Sequence, residues 1–288
     1  MARSTKEESA VPDYVEGKVI VITGAGGGFG RLVAQKCGAR GARIVGADID
    51  PTTLGETIDA IAQAGGSAIA VPTDVRSLEQ MHALADRAQE AFGAIDVMVN
   101  NAGTMPLALY ADHENAAEAW DRCIDINFKG VLHGIMAVHD AMIQQGRGQV
   151  INVSSIYGNY PVSGAAVYGA TKAAVNVLSE SLRQESQGRI KVTTIRPTGV
   201  PGTGLGDGIV NPAALLGIMG TNQESYMQTM AQLMSAEPPQ ELVDPERIEY
   251  AALSPELLAE QIVFAIDQPW GVSISDLTVR ASGDGYML

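Results

Sequence analysis

The stretch Lys18-Val-Ile-Val-Ile-Thr23-Gly24-Ala-Gly-Gly-Gly28-Phe29-Gly30 decides how this chain folds. Four β-branched apolar residues in a row read as a short strand buried on both faces. Five of the seven residues after Thr23 are glycine, and a helical pattern opens at Phe29. Glycines at a strand-to-helix turn let the backbone approach a pyrophosphate, which then rests on the helix N-terminus. The spacing is neither G-x-G-x-x-G nor a P-loop, since no Gly-Lys-Ser/Thr follows. What fits is the wider set Gly24, Gly28 and Gly30.

Outward from that turn, strand and helix signals alternate. Strands are expected at Lys18 to Thr23, Arg43 to Asp48, Ser67 to Pro72, Ile95 to Asn100, Gln149 to Ser154, Ile190 to Ile195 and Ser273 to Arg280. Helices are expected at Phe29 to Ala39, Thr52 to Ala64, Leu78 to Phe92, Ala116 to Gln145, Ala165 to Gln187 and Pro255 to Asp267. Apolar strands separated by helices predict an α/β fold, a parallel sheet covered on both faces. No repeat, low-complexity tract or linker divides the chain, so residues 1–288 read as a single domain, with 1–16 as a loose N-terminal leader.

Hydrophobic residues make up 46% of the chain, enough for a sizeable core, and mean hydropathy is +0.07. No apolar run approaches the roughly 18 uncharged residues of a membrane span, and Met1 to Glu16 has no secretory h-region. A net charge of −14 with pI near 4.6 disfavours nucleic acid and anionic membrane as partners. Cys37 and Cys123 form no metal-ligand pattern, and no metal is expected. Free thiols in helices suit a reducing, cytoplasmic setting.

Two constellations carry chemistry. Asp48 ends the second strand about 20 residues past the glycines, where an acid accepts hydrogen bonds from an adenosine ribose. It would repel the extra phosphate of NADP, and no Arg or Lys lies between Thr23 and Gly30 to offset that, so the expected cofactor is NAD. Asp50, before Pro51, reads equally as a helix cap; Asp74, next to Val75, reads as an adenine-side acid or a cap. The second constellation is Tyr168 and Lys172, four apart on a helix and so on one face. A lysine ammonium beside a phenol favours the phenolate, and such a Tyr can exchange a proton with an alcohol or carbonyl oxygen.

With these motifs, and with Asn100-Asn101-Ala102-Gly103, the sequence resembles the short-chain dehydrogenases/reductases. The likeness runs motif by motif from about Lys18 to Pro197 and more loosely in the tail. It implies a Rossmann-like doubly wound sheet and a catalytic set of Asn127, Ser155, Tyr168 and Lys172. Ser155 lies 13 residues before Tyr168, the family interval, with Ser154 the weaker choice. By the same resemblance Ser155 holds the substrate oxygen, Lys172 binds the nicotinamide ribose and lowers the tyrosine pKa, and Asn127 holds a water in a proton relay. The cofactor would further touch Phe29, Ile49, Asp74, Val75, Asn101, Ala102, Gly103, Pro197, Thr198, Gly199 and Val200. The family's Pro-Gly after the sixth strand is here Pro197-Thr198-Gly199: either Thr198 replaces that glycine or Gly199 takes its role. A homotetramer with contacts through the helices around Asn127 and Tyr168 is also implied.

Residues from Gly199 to about Leu253 exceed an ordinary connection and read as a substrate lid. Met219, Met227, Met230 and Met234 lie in it, and methionine adapts to irregular apolar ligands, although each could equally belong to the lid's own small core. From Pro197 through Glu246 there is no Lys or Arg, whereas anions are generally gripped by those residues. The expected substrate is therefore a neutral, fairly bulky apolar secondary alcohol or ketone, over a floor of Met105, Leu107, Ile156, Tyr157 and Tyr160. The Gly-Phe-Gly turn and the tail Ile274 to Arg280 resemble the 3-hydroxy-acid group of the family, the alternative substrate class together with 3-oxoacyl compounds. A non-catalytic dinucleotide-binding redox sensor is the alternative from another class.

Overall fold

A computed structural model describes residues 12–287. Its centre is one parallel seven-stranded sheet in the order β3-β2-β1-β4-β5-β6-β7. The strands are β1 (Val19–Thr23), β2 (Arg43–Asp48), β3 (Ser67–Pro72), β4 (Val97–Asn100), β5 (Gly148–Val153), β6 (Ile190–Pro197) and β7 (Asp276–Val279). The central strands β1, β4 and β5 are buried along their whole length, as continuous apolar runs require when helices cover both faces. One face carries α1 (Gly28–Ala39), α2 (Pro51–Gln63) and α9 (Pro255–Ile266); Ile20, Ile22, Val33, Leu258 and Ile262 pack together there. The other carries α3 (Leu78–Phe92), α5 (Gly130–Gln145) and α6 (Ala166–Glu185) around Val21, Met98, Leu84, Val138 and Val175.

The chain reverses its direction of strand addition between β1 and β4. That switch point opens a crevice at the carboxyl ends of the strands, the usual ligand position in such sheets. Every motif singled out in the sequence lies along that edge.

Three expectations need correction. Residues 1–11 lie outside the described residues, but 12–16 are not loose. Val15 is buried, and Arg40 pairs with both Asp13 and Asp267, which clamps the segment to the ends of α1 and α9. The long helix expected from Ala116 begins earlier, as α4 (His113–Cys123), and passes through a widened π-type turn, Ile124–Lys129, before α5. Such turns insert one residue into the helical ladder and recur at functional sites; this one holds Asn127. The last strand is shorter than expected, four residues at the sheet edge.

The segment beyond β6 folds into short pieces: 3-10 turns over Pro212–Asn222, α7 (Gln223–Leu233) and α8 (Gln240–Val243). Asn211 caps the first of these by accepting from Ala213 N, and Val210 and Asn211 both donate to the Leu107 carbonyl. Gly217 must be glycine, because a Cβ there would overlap the Ser163 carbonyl. The segment thus sits directly on the loops that follow β4 and β5. Among the described residues, no helix is long and apolar enough to cross a membrane.

Candidate active site

The glycine turn is shaped for close approach. Gly24 and Gly28 take positive φ values of 67° and 49°, a region side chains disfavour. A Cβ at Gly30 would overlap the Gly24 carbonyl, and one at Gly24 would press on Asn101 and Ala102. Phe29 is buried behind the turn. The first turn of α1 has neither a side-chain cap nor an acidic residue, so its backbone N–H groups stay available to an anion. Thr23 and Asn101 lock the turn to β4: the Asn101 and Ala102 amides donate to Thr23 Oγ1 at 3.0 and 3.2 Å, and Asn101 Nδ2 donates to the Thr23 carbonyl.

Asp48 stands beside this turn. Its carboxylate accepts from Gly26 N at 2.8 Å and from Asp50 N at 3.1 Å, which fixes its orientation. Asp50 is the N-cap of α2, accepting from Thr52 N. Ile49, between them, is exposed on the crevice rim. Asp74 does not cap α3, whose cap is Ser77; its carboxylate is gripped by Arg76 instead, which holds it below the usual carboxylate range. Val75 packs on Gly130 and receives His133 at its carbonyl.

Tyr168 and Lys172, on α6, are 3% and 5% exposed. Lys172 Nζ lies 5.7 Å from the Tyr168 ring centre and donates to the Val153 carbonyl at 2.8 Å. Burial lowers the lysine pKa to about 8. The Tyr168 phenol is raised by burial, pulled back by a hydrogen bond with Ser155, and raised again by Cys123. The expected lowering by Lys172 is thus absent from this arrangement: desolvation dominates, and the ammonium is turned toward a carbonyl. The two serines separate cleanly. Ser154 donates to the Lys172 carbonyl, a brace between β5 and α6, whereas Ser155 faces Tyr168 and accepts from Tyr157 N.

Asn127 is fully buried, and its amide is used on both sides. Oδ1 accepts from Thr104 N at 2.9 Å; Nδ2 donates to the Thr104 carbonyl and faces Cys123 and Thr171. Gly103 stands between Asn127 and Lys172: a Cβ there would lie 3.3 Å from Asn127 Oδ1 and 3.7 Å from Lys172 Nζ. The four candidate catalytic residues therefore converge on one buried seam.

Beyond Pro197, Thr198 N donates to Val279 while Thr198 Oγ1 is buried without a partner. Gly199 follows at a place where a Cβ would overlap the Tyr286 hydroxyl, and Val200 packs on the β1–α1 core. Thr203 reaches back over the glycine turn, its carbonyl 3.1 Å from a Cβ placed on Gly28. The close-fitting glycine turn and the carboxylate beside it fit a dinucleotide.

The pocket wall departs from expectation in part. Met105, Leu107, Ile156 and Tyr157 join the cluster around Tyr168, but Tyr160 is 66% exposed and lies outside it. Of the four lid methionines only Met219 is buried there; Met227 and Met234 face outward. Sequence reading missed Gly26, whose N–H holds Asp48, and Arg31, whose guanidinium bonds the Gly26 carbonyl and Glu56. Both sit in or beside the glycine motif and were within reach. Tyr286 carried no signal, being 118 residues from Tyr168 and part of none of the motifs.

Comparison with known proteins agrees with this geometry. A sequence model of the short chain dehydrogenase family matches residues 18–213. An uncharacterised oxidoreductase of Listeria monocytogenes is 33% identical over 268 residues, covering 92% of this chain and 96% of that protein. A short-chain dehydrogenase/reductase from Burkholderia phymatum, solved with NAD, superposes with a TM-score of 0.72 at 28% identity, covering 92% of this chain and 89% of that one. The closed form of a serine dehydrogenase with NADP+ gives 0.72 at 27% identity, covering 91% and 94%. The chain belongs to the short-chain dehydrogenase family, and it is an oxidoreductase with a fold for a nicotinamide dinucleotide.

Removing the Tyr168 hydroxyl tests the seam. Tyr168→Phe keeps the ring and its packing, so turnover is expected to fall by roughly 10²–10⁴-fold, as for other general acid–base groups. NADH binding, followed by fluorescence, should stay within about twofold of wild type, because the turn and Asp48 are untouched. Retention of most of the activity would refute the assignment.

Proposed function

We propose that the chain is an NAD-dependent alcohol dehydrogenase or ketoreductase. It moves hydride between nicotinamide and a neutral, fairly bulky apolar secondary alcohol or ketone, with Tyr168 as general acid and base. The observation that carries this reading is the shared burial of Tyr168, Lys172 and Ser155 under a lid that has no Lys or Arg from Gly199 through Glu246.

When bound, the nicotinamide supplies the hydride acceptor for oxidation or, reduced, the donor for reduction. Ser155 donates a hydrogen bond to the substrate oxygen and keeps it beside Tyr168. In oxidation Tyr168, as phenolate, removes the hydroxyl proton; in reduction it returns a proton to the carbonyl oxygen. Lys172 holds the nicotinamide ribose, and its charge favours the phenolate once the ammonium turns from Val153. As the family resemblance implies, a water held at Asn127 links Lys172 to solvent and carries the proton outward. Gly24, Gly28 and Gly30 cradle the pyrophosphate; Asp74 and Val75 border the adenine.

NAD rather than NADP follows from the charges at the ribose end. Asp48 accepts from Gly26 N, and Arg31, which bonds the Gly26 carbonyl, is already paired with Glu56 at 3.1 Å. A 2′-phosphate would meet a net negative site. On the substrate side, Arg196 pairs with Asp276 at 2.6 Å and Arg280 with Asp284, while Arg247, the one cation inside the lid, lies 3.9 Å from Glu249. An anion entering the apolar pocket would lose its hydration and gain no counter-charge, a cost of several kcal/mol. The 3-hydroxy-acid reading is the second choice, favoured by the similarity to a serine dehydrogenase. A homotetramer is favoured by exposed apolar side chains on the helices around the site, Met136 on α5 and Val177 on α6. Buried, free Cys37 and Cys123 suit the cytoplasm.

Two measurements check these points. The ratio of kcat/KM with NAD to that with NADP should exceed one and should narrow in Asp48→Ala; a wild type that prefers NADP would sink the cofactor assignment. A hydroxy acid and its methyl ester, assayed with NAD at equal concentration, should differ in favour of the ester. If the free acid wins by about tenfold or more, a difference worth about 1.4 kcal/mol, the acid alternative takes its place.

A further inference from the structure

The lid is fastened by the carboxy-terminal tail. Met287 N donates to the Ile218 carbonyl at 3.3 Å, and Asn222 Nδ2 donates to the Gly285 carbonyl at 3.2 Å. Upstream, Gly283 N donates to the Tyr250 carbonyl, and Arg280 bonds the Tyr286 carbonyl at 2.8 Å. Two glycines give the tail its close fit. A Cβ on Gly283 would overlap the Glu249 carbonyl, and one on Gly220 would press on the Met287 sulfur at 2.8 Å.

Tyr286 is the part of the tail that enters the site. Its ring meets Tyr226 of α7 edge-on, with centroids 6.2 Å apart. Its hydroxyl lies against Gly199, so closely that no side chain could replace that glycine's hydrogen. One residue thus bridges the lid helix, the end of β6 and the apolar cluster that encloses Tyr168. Tyr157 completes the set, meeting Tyr168 edge-on at 5.6 Å. A flat ring that binds against these side chains can meet them in the same edge-to-face or offset geometry. The phenols also stay neutral: burial pushes Tyr157 and Tyr286 above the ordinary phenol value.

We propose that residues 283–287 latch the lid over Tyr168, and that Tyr286 is a specificity-determining residue whose ring selects neutral substrates bearing a flat ring next to the carbinol or carbonyl carbon. This deepens the proposed function and rests on it for the substrate, but not for the latch. Substrate reaches Tyr168 only after the tail and lid part, since the tyrosine is closed off from solvent in the latched form.

The test compares wild type with Tyr286→Ala and Tyr286→Phe. Hydrogen exchange of the ligand-free protein over residues 212–234 reads the latch without any substrate. Exchange there should rise in Tyr286→Ala; unchanged exchange refutes the latch. For selection, acetophenone and a short aliphatic methyl ketone are reduced with NADH. Tyr286→Ala should lose about tenfold or more in kcat/KM for acetophenone relative to the aliphatic ketone, a change worth about 1.4 kcal/mol, chiefly through KM. Tyr286→Phe, which keeps the ring, should restore that preference to within about threefold of wild type. An unchanged ratio in Tyr286→Ala, or a preference that Phe does not restore, overturns the selective role. If wild type reduces neither ketone, the proposed substrate reading fails, while the exchange result still decides the latch.

Discussion

Two groups that water ordinarily solvates, the phenol of Tyr168 and the ammonium of Lys172, are buried one helical turn apart. Much of the surrounding structure exists to make that tolerable. The Lys172 pKa of about 8, against an ordinary 10.5, corresponds to a desolvation penalty of about 3 kcal/mol. For a lysine with a depressed folded-state pKa the penalty is fully present below pH 8, where both states are charged. It is relieved as pH rises from 8 toward the unfolded value, so this group makes the fold more stable at alkaline pH. The Val153 carbonyl offsets part of the cost by accepting a hydrogen bond from the ammonium. A site that carries such a penalty for a buried cation has the character of a functional one.

Sheet topology explains how residues so distant in sequence meet there. All seven strands are parallel, so every strand ends at the same edge, and the loops after β1, β2, β4, β5 and β6 share one crevice. The polar side chains at those ends tie neighbouring strands together. Asn100 donates to Asn152 at 2.8 Å, Asn152 donates to Ser179 on α6, and Thr23 joins β1 to the β4 loop. Because α6 is held to β5 by these contacts, Tyr168 keeps its distance from Ser155. The widened turn at Asn127 serves the same end, presenting an amide that clamps Thr104.

The fold was legible because its signals are local. The apolar run before Gly24 and the β-branched strands act within a few residues, and such local signals place nearly every element. The glycine turn and the Tyr168-Lys172 pair were legible for the same reason. What escaped depends on tertiary contact. The π-type turn around Asn127 has no distinctive composition, and Asp74 pairs with Arg76 two residues away instead of capping α3. Burial of Tyr168 reversed the expected direction of its pKa, since the weight of desolvation against a nearby cation is invisible in spacing. In the lid, composition picked out Met227 and Met234, but nothing in the sequence showed that both would face outward. Tyr286 could not be found at all, because the tail reaches the site only by folding over the lid.

The central claim is that Tyr168 is a buried phenol whose proton is strongly held until the site is charged from outside. The most direct measurement is a tyrosinate difference titration of wild type minus Tyr168→Phe, in the protein alone and when saturated with NAD. In the protein alone the phenol should titrate above the ordinary value of about 10. Oxidised nicotinamide adds positive charge nearby, so saturation with NAD should move the titration downward. A phenol that titrates at or below the ordinary value in the protein alone, or one that NAD leaves unmoved, would contradict the account.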